Sequence, residues 1–271
     1  MTSVADLSYA CQTYSWQMSI DRYRGQVEHM ASVASRAGFT GFEPELVMLG
    51  DDWSVSRLRH ILDQHGLSLA AMVLVEEWRG PCETESERAD AESVIKAVAA
   101  SGGAKLVLCP FPGADRSDLA ERQVNAMACM EAVAKRAADV GVHCTFHPNS
   151  PTGSVFRTAE DYRRMADLLP DLIGYTPDIG HIARGGMDPL TVIRQWRDRI
   201  DHVHVKDVAE DGTWAETGAG VVDVRGVLEH LAATDFTGWV TFEDESAAAE
   251  TDPDQATAHN GDYVRTLKGG S

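Results

Sequence analysis

Four polar clusters stand where apolar, strand-like runs end in the second half of the chain: FHPN at residues 146–149, PDIGH at 177–181, HVHVKD at 202–207 and WVTFEDE at 239–245. Each brings one metal-binding residue type, His147, Asp178, His204 and Glu243, to the same place in a repeating unit. Two imidazoles and two carboxylates form a donor set for a divalent cation. An ion held that way, with positions left open, polarises a carbonyl and makes the neighbouring C–H acidic.

The four can share an ion only if they point the same way. Successive strand residues face opposite sides, so one side of a barrel strand meets the axis and the other meets the helices. His202, His204 and Lys206 then share a face opposite Val203 and Val205. Thr241 and Glu243 oppose Val240 and Phe242, while Thr145 and His147 oppose Cys144 and Phe146. Asp178 lies opposite Tyr175 and Pro177. The polar faces are the inward ones.

The elements that position them alternate from end to end. Strands are expected near residues 7–13, 41–45, 67–75, 105–109, 142–147, 173–178, 202–206 and 239–243. Helical patterns cover 26–37, 54–65, 85–100, 118–140, 159–168, 189–196 and 224–233, several ending at a glycine suited to a left-handed cap. Eight such units in 271 residues predict one α/β domain over 1–271, a (β/α)8 barrel. Every cluster falls at the carboxyl rim of that barrel, where active sites of this architecture lie.

The 42 acidic against 24 basic residues give a net charge of −18, which opposes nucleic acid and anionic membrane as partners and favours a small neutral substrate. Five scattered cysteines without close pairing, and no apolar run long enough to span a membrane, predict a reduced, cytoplasmic protein. Long loops at 46–53, 76–85, 207–217 and 246–261 would choose the substrate, and would also serve a homo-oligomer interface, which the sequence neither requires nor excludes.

These clusters, with YSW at 14–16, AGFTGFE at 37–43, Arg157-Thr158 and GAGVVD at 218–223, resemble the xylose-isomerase-like TIM-barrel superfamily of sugar isomerases, epimerases and dehydratases. The inosose dehydratase branch is the nearest in pattern. The resemblance spans nearly the whole chain and is densest from Phe146 onward. It implies a divalent cation on His147, Asp178, His204 and Glu243; many members carry glutamate where this chain has His147. The second imidazole shifts the preference from magnesium toward manganese first, with cobalt, iron and zinc as alternatives.

The resemblance further implies a metal-dependent lyase acting on a keto-sugar, keto-cyclitol or keto-glycoside through an enediolate. His181 would serve as general acid, Lys206 would stabilise the oxyanion, and Glu243 would be both ligand and catalytic group. Trp16 is read either as a sugar platform or as core filling, and Glu43 as a substrate contact, a buried ion pair or a lid anchor. Lys206 could alternatively form a salt bridge to Glu43 or Glu243. Asp207, Arg157 and Trp214 read as rim structure.

A sugar isomerase or epimerase would use the same residues. An endonuclease-IV-like DNA repair enzyme would need further ligands that residues 71–75 and 106–109, Gly212 and Trp214 do not supply. A non-catalytic binding protein would require the four-residue site to be vestigial.

Overall fold

A computed structural model describes residues 2–269. Its barrel strands are β1 (Ser8–Gln12), β2 (Gly41–Glu43), β3 (Ser68–Leu69), β4 (Ala71–Glu76), β5 (Lys105–Pro110), β6 (His143–Phe146), β7 (Gly174–Tyr175) and β8 (His202–Val205). A short hairpin of β9 (Asp207–Val208) and β10 (Trp214–Ala215) follows, and β11 (Trp239–Phe242) completes the ring.

All pairings among the barrel strands are parallel, in the orders β3-β2-β1-β11-β8 and β4-β5-β6-β7. Two seams join these arcs into a closed (β/α)8 barrel. Between β7 and β8, bridges pair Tyr175 with Ile200 and Asp178 with His204. The other seam runs through the third strand itself, which was expected as one piece over 67–75. It pairs with β2 before Ala70 and with β5 after it. Ala70 spans the change: its N–H donates to Phe42 O at 2.9 Å, and its carbonyl accepts from Lys105 N at 3.2 Å. Closure leaves no sheet edge to solvate.

The helix-facing layer is apolar, with Val203, Val205, Val240, Phe242, Phe146 and Tyr175 all fully buried. Burial of each such side chain contributes roughly 1.5–3 kcal/mol. Inside the barrel, β4 and β5 present an apolar wall of Ala71, Val73, Val107 and Cys109. The other strands turn inward Thr145, Thr176, Thr241, His202 and Glu43, and the hydroxyls of Thr145 and Thr176 meet at 2.8 Å. One half of the interior is therefore oily and the other polar, and the metal-binding residue types sit on the polar half.

Two expected loops are structured. Residues 246–261 fall largely in helices Ala247–Thr251 and Pro253–Gly269. The second packs on helix Val27–Ala37 so closely that a Cβ at Gly261 would lie 2.2 Å from Ala37 O. Residues 207–217 hold the hairpin, which Asp207 anchors by accepting from the N–H groups of Val208, Gly218, Gly220 and Val222 at 2.8–3.1 Å. Left-handed glycine caps occur as expected at Gly38 and Gly66. Among the described residues, no helix is long and apolar enough to cross a membrane.

Candidate metal centre

The four donor residues stand on consecutive barrel positions at the carboxyl rim. Three are fixed by main-chain bonds that extend the ladder past the strand ends. His147 N donates to Leu108 O at 2.9 Å, His204 N to Pro177 O at 2.9 Å, and Glu243 N to Val205 O at 3.2 Å. Asp178 caps helix Ile179–Arg184, its Oδ1 accepting from His181 N at 2.7 Å. That bond commits one oxygen to the protein and leaves Oδ2 for the centre.

One ligand atom from each of His147, Asp178, His204 and Glu243 lies within 4.8 Å of every other. Donors on opposite sides of one ion, with bonds of roughly 2.0–2.4 Å, span about that distance. A second observation agrees. Both ring nitrogens of His147 and Oδ2 of Asp178 are buried without a hydrogen-bond partner, and the 3.6 Å from His147 Nε2 to Asp178 Oδ2 is too long to make one. Buried polar atoms are normally satisfied, and an imidazole presents one nitrogen to an ion, so an unpartnered His147 nitrogen beside the unpartnered Asp178 Oδ2 fits a cation between them.

Beneath the centre, Glu43 accepts from His202 Nε2 at 2.5 Å, His204 Nε2 at 2.7 Å and Thr241 Oγ1 at 3.1 Å. The bond to Nε2 leaves Nδ1 of His204 turned toward Glu243 Oε1, 3.1 Å away, as the nitrogen it could offer an ion. A carboxylate behind a ligating imidazole fixes its tautomer and raises its basicity. Burial pulls the His204 pKa down, but the Glu43 and Glu243 carboxylates outweigh it and lift it to about 10. Burial acts to raise the Glu43 pKa, but the two imidazoles, His204 foremost, hold it well below the usual carboxylate range. His147 goes the other way, because burial pushes its pKa down.

Lys206 lies beside the ligands, its Nζ 2.9 Å from Glu243 Oε1 and 3.4 Å from Asp178 Oδ2, and bonded to Glu245 Oε1. Burial disfavours the ammonium, yet the Asp178, Glu243 and Glu245 carboxylates more than compensate and hold its pKa well above the ordinary value. The salt bridge to Glu243 is one of the two expected; Glu43 is engaged by histidines instead. Nζ also donates to His181 Nε2 at 3.1 Å, which makes Nδ1 the protonated nitrogen facing Ser150 Oγ at 2.8 Å. Burial and the Lys206 charge push the His181 pKa well down. Neutral and accepting at Nε2, this imidazole has a nitrogen placed to take a proton.

A cavity of about 210 Å³ opens over these groups, lined by His147, His181, His204, Lys206 and Glu243. Glu43 and Trp16, expected to touch substrate, are not in its wall. Glu43 lies one layer deeper, and Trp16 is fully buried with its indole N–H donating to Asp254 Oδ1 at 2.7 Å. The cause is that β1 stops at Gln12 and the chain enters the helical turn Tyr14–Gln17. Tyr14 and Gln17 then share the cavity side while Trp16 faces the core.

Glu45 is a cavity-lining residue that sequence reasoning passed over. It lines the cavity at 5% exposure, with Gln12 Nε2 donating to Oε1 at 3.3 Å and Gln17 Nε2 to Oε2 at 2.8 Å. Burial, reinforced by the Glu243 charge, pushes its pKa up to about 7. Alternation from Glu43 was the available signal. Asp207, Arg157 and Trp214 serve the rim: Asp207 anchors the hairpin, Arg157 N donates to Asp161 Oδ2 at 2.9 Å, and the Trp214 ring packs edge-on to His181.

A family model described as xylose isomerase-like TIM barrel matches residues 31–267. An inosose dehydratase of Lacticaseibacillus casei is 30% identical over 142 residues, 46% of this chain and 47% of that protein, so the match spans about half the relative's length. The rhizopine catabolism protein MocC of Rhizobium meliloti is 27% identical over 264 residues, 85% of this chain and 76% of that protein. Among solved structures, the apo 3-keto-D-glucoside 4-epimerase YcjR from E. coli superposes with a TM-score of 0.74 at 19% identity, over 96% of this chain and 99% of that one.

Proposed function

Because the chain belongs to the xylose isomerase-like TIM-barrel family, we propose that it is a divalent-metal-dependent lyase that expels a β-substituent from a keto-sugar, keto-cyclitol or keto-glycoside. The observation that carries this reading is the junction of four convergent ligand atoms with a buried ammonium and a neutral imidazole on one cavity wall. His147, Asp178, His204 through Nδ1, and Glu243 would hold the ion. Bound there, a divalent cation supplies Lewis acidity toward a ketone oxygen.

The chain's own groups account for the remaining steps. Lys206 turns one N–H from His181 to the ketone oxygen and holds the negative charge that develops on it. Nε2 of His181, released from that hydrogen bond, takes the proton from the carbon beside the ketone. The C–H electron pair passes toward the carbonyl and returns as a C=C bond when the β carbon–oxygen bond breaks. Ser150, bonded at Nδ1, keeps the ring oriented throughout.

Inosose dehydratase relatives support the lyase reading, and the donor set of two imidazoles and two carboxylates supports manganese ahead of cobalt, iron, zinc or magnesium. Five free cysteines, four of them buried, suit the cytoplasm. One observation favours a second reading, an isomerase or epimerase on the same site. Glu45 faces the cavity from a different wall than His181, which would let a proton leave one face of a carbon and return to the other.

A mass-resolved screen of keto-inositols, keto-glycosides and ketoses with added manganese separates the two. Loss of water or an alcohol is the expected result, abolished by a chelator. A product of unchanged mass would assign the isomerase or epimerase instead.

A further inference from the structure

Glu45 borders two cavities. One is the chamber of about 210 Å³ over the four donor residues; the other, about 430 Å³, is bordered by Leu46, Trp53, Glu76, Asp90 and Ser93. Val73 and Val75 are the other residues common to both. The two cavities therefore adjoin at Glu45, Val73 and Val75.

Its place in the barrel matters as much. Around the closed ring, β2 lies four places from β7, directly across the axis. Asp178 and His181 follow β7, so Glu45 faces the basic wall from the opposite side. The amides of Gln12 and Gln17 each donate to one of its oxygens and fix the carboxyl plane, while each oxygen keeps a second lone pair free. Such fixation is typical of a group that must deliver a proton in one direction. Among the described residues no cation is paired with Glu45, unlike Glu243 and Glu245, which share Lys206. Without a cation against it, the buried carboxyl keeps its proton to about neutrality.

We infer that Glu45 is the general acid that protonates the departing oxygen, and that the departing group is a neutral alcohol or sugar lodged in the adjoining cavity. This rests on the lyase reading above and narrows it to keto-glycosides. The second cavity carries Glu76, Asp90 and Ser93, which offer hydrogen bonds to hydroxyls, with Trp53 and Leu46 as apolar floor. Its lining also holds Arg24, but that cation is paired with Asp51, and the acidic excess of Asp51, Glu76 and Asp90 disfavours a phosphate or carboxylate there.

The step balances within the chain and substrate. Glu45 gives its proton to the glycosidic oxygen, and the carbon–oxygen bond breaks with its electron pair on that oxygen. The proton from the carbon beside the ketone goes to His181. A keto-glycoside becomes an enone and an alcohol, and Glu45 and His181 return to their starting protonation through water.

The test uses the full metal-loaded chain with methyl and 4-nitrophenyl 3-keto-glucosides, comparing wild type with Glu45→Gln and Glu45→Asp. A nitrophenolate leaves without a proton; a methoxide does not. Glu45→Gln is expected to lower kcat about 100-fold or more on the methyl glycoside, yet under about 10-fold on the nitrophenyl one, with KM little changed. Glu45→Asp recovers part of the methyl rate. Unchanged metal content and circular dichroism show that the variants fold. Equal losses on both glycosides, or no loss, overturn the assignment. Wild-type protein that releases neither alcohol but still dehydrates a keto-inositol overturns it while leaving the lyase reading in place. Rearrangement of every ketone without loss of any group overturns both.

Discussion

Replacing Glu45 by glutamine should change how folding stability depends on pH, by an amount that follows from the carboxyl's surroundings. Its side chain is 5% exposed, and burial lifts its pKa from 4.5 to about 7. In that window the folded chain binds a proton that the unfolded chain has released. Stability from this group is thus fully present below pH 4.5 and is lost as pH rises through 7. One pH step is worth about 1.4 kcal/mol, so wild type should lose roughly 3 kcal/mol between pH 4 and pH 9 that the glutamine variant does not lose. The altered hydrogen bonds to Gln12 and Gln17 shift the variant's stability by a constant, which cancels when its difference from wild type is compared across pH. Urea unfolding of chelator-treated protein at several pH values measures this. Parallel stability curves for the two proteins would refute the protonation state assigned to Glu45.

Three further outcomes follow from the site. In metal-free protein His204 is protonated up to about pH 10, so manganese must displace a proton; its affinity should rise about tenfold per pH step between roughly pH 6 and 9. Calorimetry in buffers of different ionisation heat would detect close to one proton released per ion, and a buffer-independent heat would count against it. Glu43→Gln, which lies outside the four-residue donor set but holds His204 by Nε2, should weaken metal binding about 10- to 100-fold, read by competition with a chelating dye. Gly261→Ala forces a methyl against Ala37 O and should cost about 1–3 kcal/mol in urea unfolding, with metal affinity unchanged.

The strands made much of this centre legible. His204 and Glu243 could be aimed inward because two-residue alternation is rigid, and a ladder that continues one residue past the strand end keeps it so. Alternation stops helping where the strand stops. Alternation would put Tyr14 and Trp16 on one face; they part to opposite sides because the backbone turns helical immediately after Thr13. Glu45 lies beyond Pro44, outside the regular part of β2; alternation from Glu43 aims it inward, and the bonds from Gln12 and Gln17 show it held there. The carboxyl-terminal helix was hidden for a different reason. Asn260 and Gly261 are loop-forming residues locally, and only close approach of Ala37 explains the glycine. Ala70 likewise looks like any strand residue until both neighbouring strands are in place.

Asp207 closes its ring of bonds entirely on main-chain amides, and a Cβ at Gly220 would sit 2.2 Å from its carboxylate. Because the knot reads peptide groups and not side chains, the stretch it ties down can drift in composition without coming loose. Residues 209–213 could drift without disturbing the reacting groups below, provided that one aspartate and its facing glycine are kept and Trp214 stays against His181.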